Sequence, residues 1–307
     1  MSNFGVGKAN QIADPKLQVS TGDFLSNLLQ AQQGRMANSS VWDDVVGRVE
    51  TGVDQWMDGA KPYALTDGLP MMDVSTMLAF EVGYMAMLLF GIPIMKQMEK
   101  PFELKTIKLL HNLFLFGLSL YMCVETIRQA ILGGYKVFGN DMEKGTESHA
   151  QGMSRIVYVF YVSKAYEFLD TAIMILCKKF NQVSFLHVYH HATIFAIWWA
   201  IAKYAPGGDA YFSVILNSFV HTVMYAYYFF SSQGFGFVKP IKPYITTLQM
   251  TQFMAMLVQS LYDYLFPCDY PQALVQLLGV YMITLLALFG NFFVQSYLKK
   301  PKKSKTN

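Results

Sequence analysis

The sequence predicts an all-α membrane protein with seven transmembrane helices. Of its 307 residues, 53% are hydrophobic and only 15% charged, and the mean hydropathy is +0.27, too apolar for an ordinary soluble domain. The apolar residues fall in blocks of roughly 20, the length that crosses a bilayer core. Polar residues inside several blocks recur three or four apart, the helical period.

Residues 1–73 carry nine Asp or Glu against five Lys or Arg. Their Gly, Gln and Ser content predicts a polar, partly mobile region. Within it Val41, Val45, Val49, Val53 and Trp56 keep helical spacing. They predict an amphipathic helix near 41–57, lying on the membrane surface or on the bundle. No secretory signal peptide is expected, because no apolar core follows a basic start in the first thirty residues.

The membrane domain is expected over 74–298, with spans at 74–95, 109–131, 153–177, 185–203, 210–231, 243–266 and 272–298. A basic tail, 299–307, follows. Loops after the first, third and fifth spans, with that tail, hold thirteen Lys or Arg, and the opposite loops five. The bias places the C-terminus in the cytosol and the N-terminus in the lumen. Asn38-Ser39-Ser40 is a glycosylation sequon on the lumenal side. Lys303 and Lys305 resemble a dilysine retrieval signal of the endoplasmic-reticulum membrane. Three cysteines make no disulfide framework. Cys123 and Cys268 nonetheless fall where an oxidising lumen would let them pair, with Cys177 free in the cytosol.

Four spans carry residues that hydrocarbon does not tolerate singly. The third holds Lys164, Glu167, Asp170 and Thr171 on one face. The fourth holds the box His187, His190 and His191. The fifth holds Asn217 and His221, four apart, then Tyr225 and Tyr228; the sixth holds Gln249 and Gln252. At about 1.5 Å per residue these groups lie roughly 10–15 Å from the cytosolic ends of their helices. Four antiparallel helices thus bring polar faces to one depth, where each group needs an internal partner. A shared polar chamber supplies them. Lys164 and Glu167 are expected to neutralise each other.

Imidazole is both a nucleophile and a base near neutral pH. Asp170, Asn217, Gln249 and Gln252 are placed to orient imidazoles or to donate to a developing oxyanion. The chamber reads as a site of acyl transfer on a lipid, entered from the cytosol. Lys178, Lys179 and Lys242 ring its mouth and suit a phosphate-bearing carrier. Two other readings stay in play. A histidine-bound metal would make a lipid-modifying enzyme, but six histidines in all are few for the several boxes of di-iron membrane enzymes. A lipid transporter would favour broken helices and inverted repeats, and no internal repeat is visible. A retinal protein would need a lysine within 272–298, which has none.

These motifs closely resemble the ELO family of very-long-chain fatty-acid elongases. The resemblance runs from about Pro101 to Gln295 and rests on Pro101-Phe-Glu-Leu-Lys105 with His111-Asn112, and on Lys164-x-x-Glu-x-x-Asp-Thr171. It continues through His187-x-x-His-His191, Asn217-x-x-x-His221-x-x-Met-Tyr225-x-Tyr-Tyr228 and Thr246-x-x-Gln-x-x-Gln252. It implies an endoplasmic-reticulum enzyme whose spans two to seven ring an acyl tunnel. That enzyme would condense malonyl-CoA with an acyl-CoA to 3-ketoacyl-CoA, releasing carbon dioxide and CoA. Tyr189, the wording around Asn217 and His221, and Gln249-Met-Thr-Gln252 resemble the polyunsaturated-type branch. Cofactors and metals are expected to be none. The expected partners are acyl-CoA, malonyl-CoA, the bilayer, the reductases and dehydratase of the cycle, and a second copy in a homodimer, with no nucleic acid. The scheme that follows has His190 attack the thioester, His221 hold the carbonyl oxygen, His187 and His191 relay protons, and Asp170 fix a tautomer. Spacing alone leaves His190, His191 and His221 all in reach as the nucleophile.

Overall fold

The computed structural model describes residues 40–143 and 148–299. Asn38, Ser39, Lys303 and Lys305, and with them the sequon and the retrieval signal, lie outside the described residues. Two compact units divide the chain, one ending at Val49 and the other starting at Glu50. All regular secondary structure among the described residues is helical.

In the first unit Ser40 and Asp43 cap the start of α1 (Val41–Trp56). The Ser40 N–H and hydroxyl donate to Asp43 at 2.9 and 2.8 Å, and the Asp43 N–H donates back at 3.2 Å. No residue of α1 is buried.

The second unit holds seven long helices: α2 (Val74–Gln97), α3 (Lys105–Leu132), α4 (Ser148–Leu176), α5 (Phe185–Tyr204), α6 (Ala210–Ser232), α7 (Lys242–Leu265) and α8 (Gln272–Leu298). Each covers one expected span. The third starts five residues early, because a helix can continue past its apolar block and hydropathy does not register the extra turn. Asp73 accepts from the Thr76 N–H at 2.7 Å to cap α2. Hydrogen bonding from Thr76 holds the Asp73 carboxyl below the usual carboxylate range. Met87–Gly91 is a π-turn that ends two residues before Pro93; proline has no N–H to give the turn behind it, and the wider turn absorbs that loss.

Among the described residues three helices, α2, α3 and α8, are long and apolar enough to cross a membrane. Their outer faces expose Leu89, Phe90, Phe114, Val124, Val280 and Ile283, a surface that hydrocarbon covers at no cost and water does not. The chain is therefore a multi-pass membrane protein. In α4 to α7 the buried polar residues lower the hydropathy.

The packing closes on itself. α3 packs most extensively on α6, and α7 on α8; α4 bridges α3 and α5, α6 meets α7, and α8 returns to α5. Six helices, α3 to α8, so form a ring. α2 stands beside it, against α4 and α5.

The expected Cys123–Cys268 disulfide is not formed: all three cysteines are free. Cys123 is buried in α3, while the Cys268 thiol points to the Asn140 carbonyl, 3.6 Å away. Burial, reinforced by Asp209 and Asp263, pushes the Cys268 thiol up to about 11, and a protonated thiol is unreactive.

Candidate active site

The site is built on α4. Lys164 and Glu167, 1% and 2% exposed, pair at 2.7 Å. The Lys164 ammonium also donates to Asn217 Oδ1 on α6 at 3.0 Å and lies 4.0 Å from the Phe160 ring centroid. One buried cation thus has a carboxylate, an amide and a π-face, which offsets its desolvation. His221 on α6 brings Nδ1 within 3.4 Å of the same Glu167 oxygen.

Asp170, one turn on, turns toward α3 and α6. Its Oδ2 accepts from the Tyr225 hydroxyl at 2.8 Å, and its Oδ1 lies 2.9 Å from His111 Nε2. The sequence has Asp170 fix a tautomer without naming the imidazole, and gives His111 no role in the chamber. In the structure the imidazole beside Asp170 is His111. The signal for His111 was its place beside Asn112 in the ELO-like motif. Tyr225 stands edge-on to His221, with ring centroids 5.7 Å apart, and Tyr228 stacks edge-on to Tyr225 at 5.9 Å.

The histidine box sits at the start of α5. The Ser184 hydroxyl caps this helix by accepting from the His187 N–H at 3.3 Å. His187 and His191, four apart, have ring centroids 4.3 Å apart. His190 is displaced by about 60° around the helix, and that rotation decides its neighbours. His187 Nε2 meets Thr171 Oγ1 of α4 at 2.7 Å, whereas His190 Nδ1 meets the Tyr281 hydroxyl of α8 at 3.1 Å. Thr193 Oγ1, whose proton goes to the Tyr189 carbonyl at 2.6 Å, lies 3.1 Å from the same Tyr281 oxygen. His191 is 7% exposed, and its Nδ1 has no hydrogen-bond partner among the described residues. Sequence reasoning missed Tyr281; it sits in an otherwise apolar helix, and its one signal was a phenol at membrane depth.

Gln249 and Gln252 do not reach the imidazoles. Their amides point at the sulfurs of Met224 and Met256, at 3.7 and 3.5 Å. They stand on α7, which packs on α6 and α8 rather than on the helices that carry the box. Lys178 donates to the Met98 carbonyl, and Lys179 and Lys242 are exposed. Among the described residues no three His, Cys, Asp or Glu side chains gather as a metal-ligand set. A cavity of about 520 Å³ opens between α2 and α4, lined by Ser75, Thr76, Phe80, Tyr84, Phe168 and Leu169 among others. It borders Tyr84 rather than the imidazoles.

A helical ring holding five imidazoles, two carboxylates and a buried lysine defines a membrane-embedded protein with a polar interior site. The chain belongs to the ELO family, described as GNS1/SUR4, whose family model matches residues 69–305. It is 34% identical over 264 residues to very long chain fatty acid elongase 5 of Tachysurus fulvidraco, covering 84% of this chain and 87% of that one. It is 37% identical over 228 residues to very long chain fatty acid elongase 2 of Mus musculus, covering 72% and 76%. Fatty acid elongase 6 of Leishmania major is 38% identical over 253 residues, spanning 80% of this chain and 65% of that protein.

Proposed function

We propose that this protein is the condensing enzyme of fatty-acid elongation, a very-long-chain 3-oxoacyl-CoA synthase of the endoplasmic-reticulum membrane. It crosses the bilayer seven times and joins malonyl-CoA to a polyunsaturated acyl-CoA. The observation that carries the reading is the half-buried box on α5, with His190 held by Tyr281 and His187 by Thr171, in a chain whose relatives are named fatty acid elongases. The polyunsaturated preference rests on the motif wording around Tyr189, Asn217 and Gln252.

The hydrogen bonds around His190 suit a nucleophile. The Thr193 proton goes to the Tyr189 carbonyl at 2.6 Å, and the Tyr281 hydroxyl lies 3.1 Å from Thr193 Oγ1 and 3.5 Å from the His190 carbonyl. With its own proton given to that carbonyl, Tyr281 accepts from His190 Nδ1–H. The lone pair is then on Nε2. That nitrogen attacks the acyl thioester carbon, the C–S bond breaks, and CoA thiolate leaves. Malonyl-CoA next loses carbon dioxide. The electron pair of its broken C–C bond attacks the acyl carbon, and the C–N bond breaks to restore the imidazole. Splitting the condensation this way divides one barrier into two, and burial shields the acyl-imidazole from water. His221, turned toward Glu167, is the candidate to hold the thioester or enolate oxygen. Lys179 and Lys242 at the cytosolic mouth would draw in the phosphates of CoA.

Purified protein given an acyl-CoA and carboxyl-labelled malonyl-CoA should release labelled carbon dioxide and form 3-ketoacyl-CoA; a lipid transporter would do neither. Peptide mapping after trapping a labelled acyl group should find it on His190, and an adduct on Cys177, or none, would defeat the acyl-imidazole step. Expression in a host fed a panel of unsaturated fatty acids identifies the preferred chain.

A further inference from the structure

We propose that Tyr84 of α2, a helix outside the ring, is a positioning residue for the histidine box, acting through Thr171 to hold His187 with its proton on Nδ1. This deepens the condensation reading and rests on it.

The geometry is a short chain of three groups. The Tyr84 hydroxyl lies 3.2 Å from Thr171 Oγ1, and Thr171 Oγ1 lies 2.7 Å from His187 Nε2. Tyr84 is 3% exposed and Thr171 0%, so neither hydroxyl proton can turn to solvent without cost. Tyr84 is also fixed in place, its ring stacked on Phe168 with centroids 4.4 Å apart.

Counting protons selects one arrangement. If His187 Nε2 donates to Thr171 and Thr171 donates to Tyr84, the phenol proton is left without a partner. If Tyr84 and His187 both donate to Thr171, the threonine proton is left over, because Thr171 makes no bond to a carbonyl one turn back, as Thr126 and Thr193 do. If Tyr84 donates to Thr171 and Thr171 donates to Nε2, both buried hydroxyls are satisfied and the hydrogen left over is the Nδ1–H of a half-buried ring, which is not among the buried unpartnered atoms. A buried polar hydrogen left unpaired is the costlier state. Tyr84 therefore aims the Thr171 hydroxyl, and His187 carries its hydrogen on Nδ1. Without the phenol, Thr171 is free to swing to the carbonyl one turn back, a common resting place for a helical threonine. It would then accept from His187 instead, and the tautomer reverses.

The test compares wild type, Tyr84→Phe, Thr171→Val and the double variant as full-length protein in detergent. Tyr84→Phe keeps the ring stack and removes one hydrogen bond, so kcat should fall about 2- to 10-fold with KM for both substrates unchanged and the pH profile of kcat displaced. On the Thr171→Val background the same change should add nothing, since the line is already cut. Nitrogen-15 histidine spectra, with His187 assigned by His187→Gln, should show the Nδ1–H form in wild type and the Nε2–H form growing in Tyr84→Phe. The spectra need no turnover, so they judge this inference even if the protein condenses nothing. An unchanged His187 signal in Tyr84→Phe, or rate losses that multiply in the double variant, would overturn it.

Discussion

At the scale of single residues, each buried charge in the ring is held by particular neighbours. Lys164 and Glu167 are each almost fully buried and answer one another. Removing one partner leaves the other charge uncompensated, which costs about 3–5 kcal/mol, whereas replacing both with apolar residues is often tolerated. Lys164→Met should therefore lower the yield of folded protein and its melting temperature sharply, and Lys164→Met with Glu167→Met should recover most of the loss; thermal unfolding in detergent reads both. Tyr281→Phe removes the acceptor from His190 Nδ1. It should slow condensation roughly tenfold, the cost of one unpaired buried donor, as measured by carbon dioxide release with the protein still folded.

At the scale of elements, two turns position the site. Ser184 caps α5 at the residue that begins the box. Ser184→Ala should cost about 1 kcal/mol of stability and lower kcat as well, because the frayed turn is the one that carries His187. Gly208, in the loop before α6, has φ +49°, and a Cβ there would meet the Asn140 carbonyl oxygen at 2.9 Å. That loop presents Asp209, which accepts from the Gly139 and Asn140 N–H groups at 2.8 and 3.0 Å. Gly208→Ala should destabilise by at least the roughly 1–2 kcal/mol of a left-handed non-glycine residue, seen as a lower melting temperature with little change in KM.

At the scale of the whole molecule, the seven crossings proposed above would put the termini on opposite faces of the membrane. Glycosylation reporters fused to the two ends should be modified at the N-terminus and not at the C-terminus. With all three cysteines free, reductant should leave gel mobility unchanged.

What the sequence determined by itself was whatever depends on local period and on the cost of polarity in hydrocarbon. The helix positions, the shared face of Lys164, Glu167, Asp170 and Thr171, and the convergence on α5 and α6 all follow from residues three and four apart in an apolar setting. The tertiary structure alone decided which partner each group took. His111 reached Asp170, the box divided between Thr171 and Tyr281, Tyr84 came in from outside the ring, and Gln249 and Gln252 turned to methionine sulfurs. The physical reason is rotation. A helix fixes the angle between its own side chains, but which neighbour lies at that angle depends on how the helices pack around the ring, and no single helix's sequence contains that information.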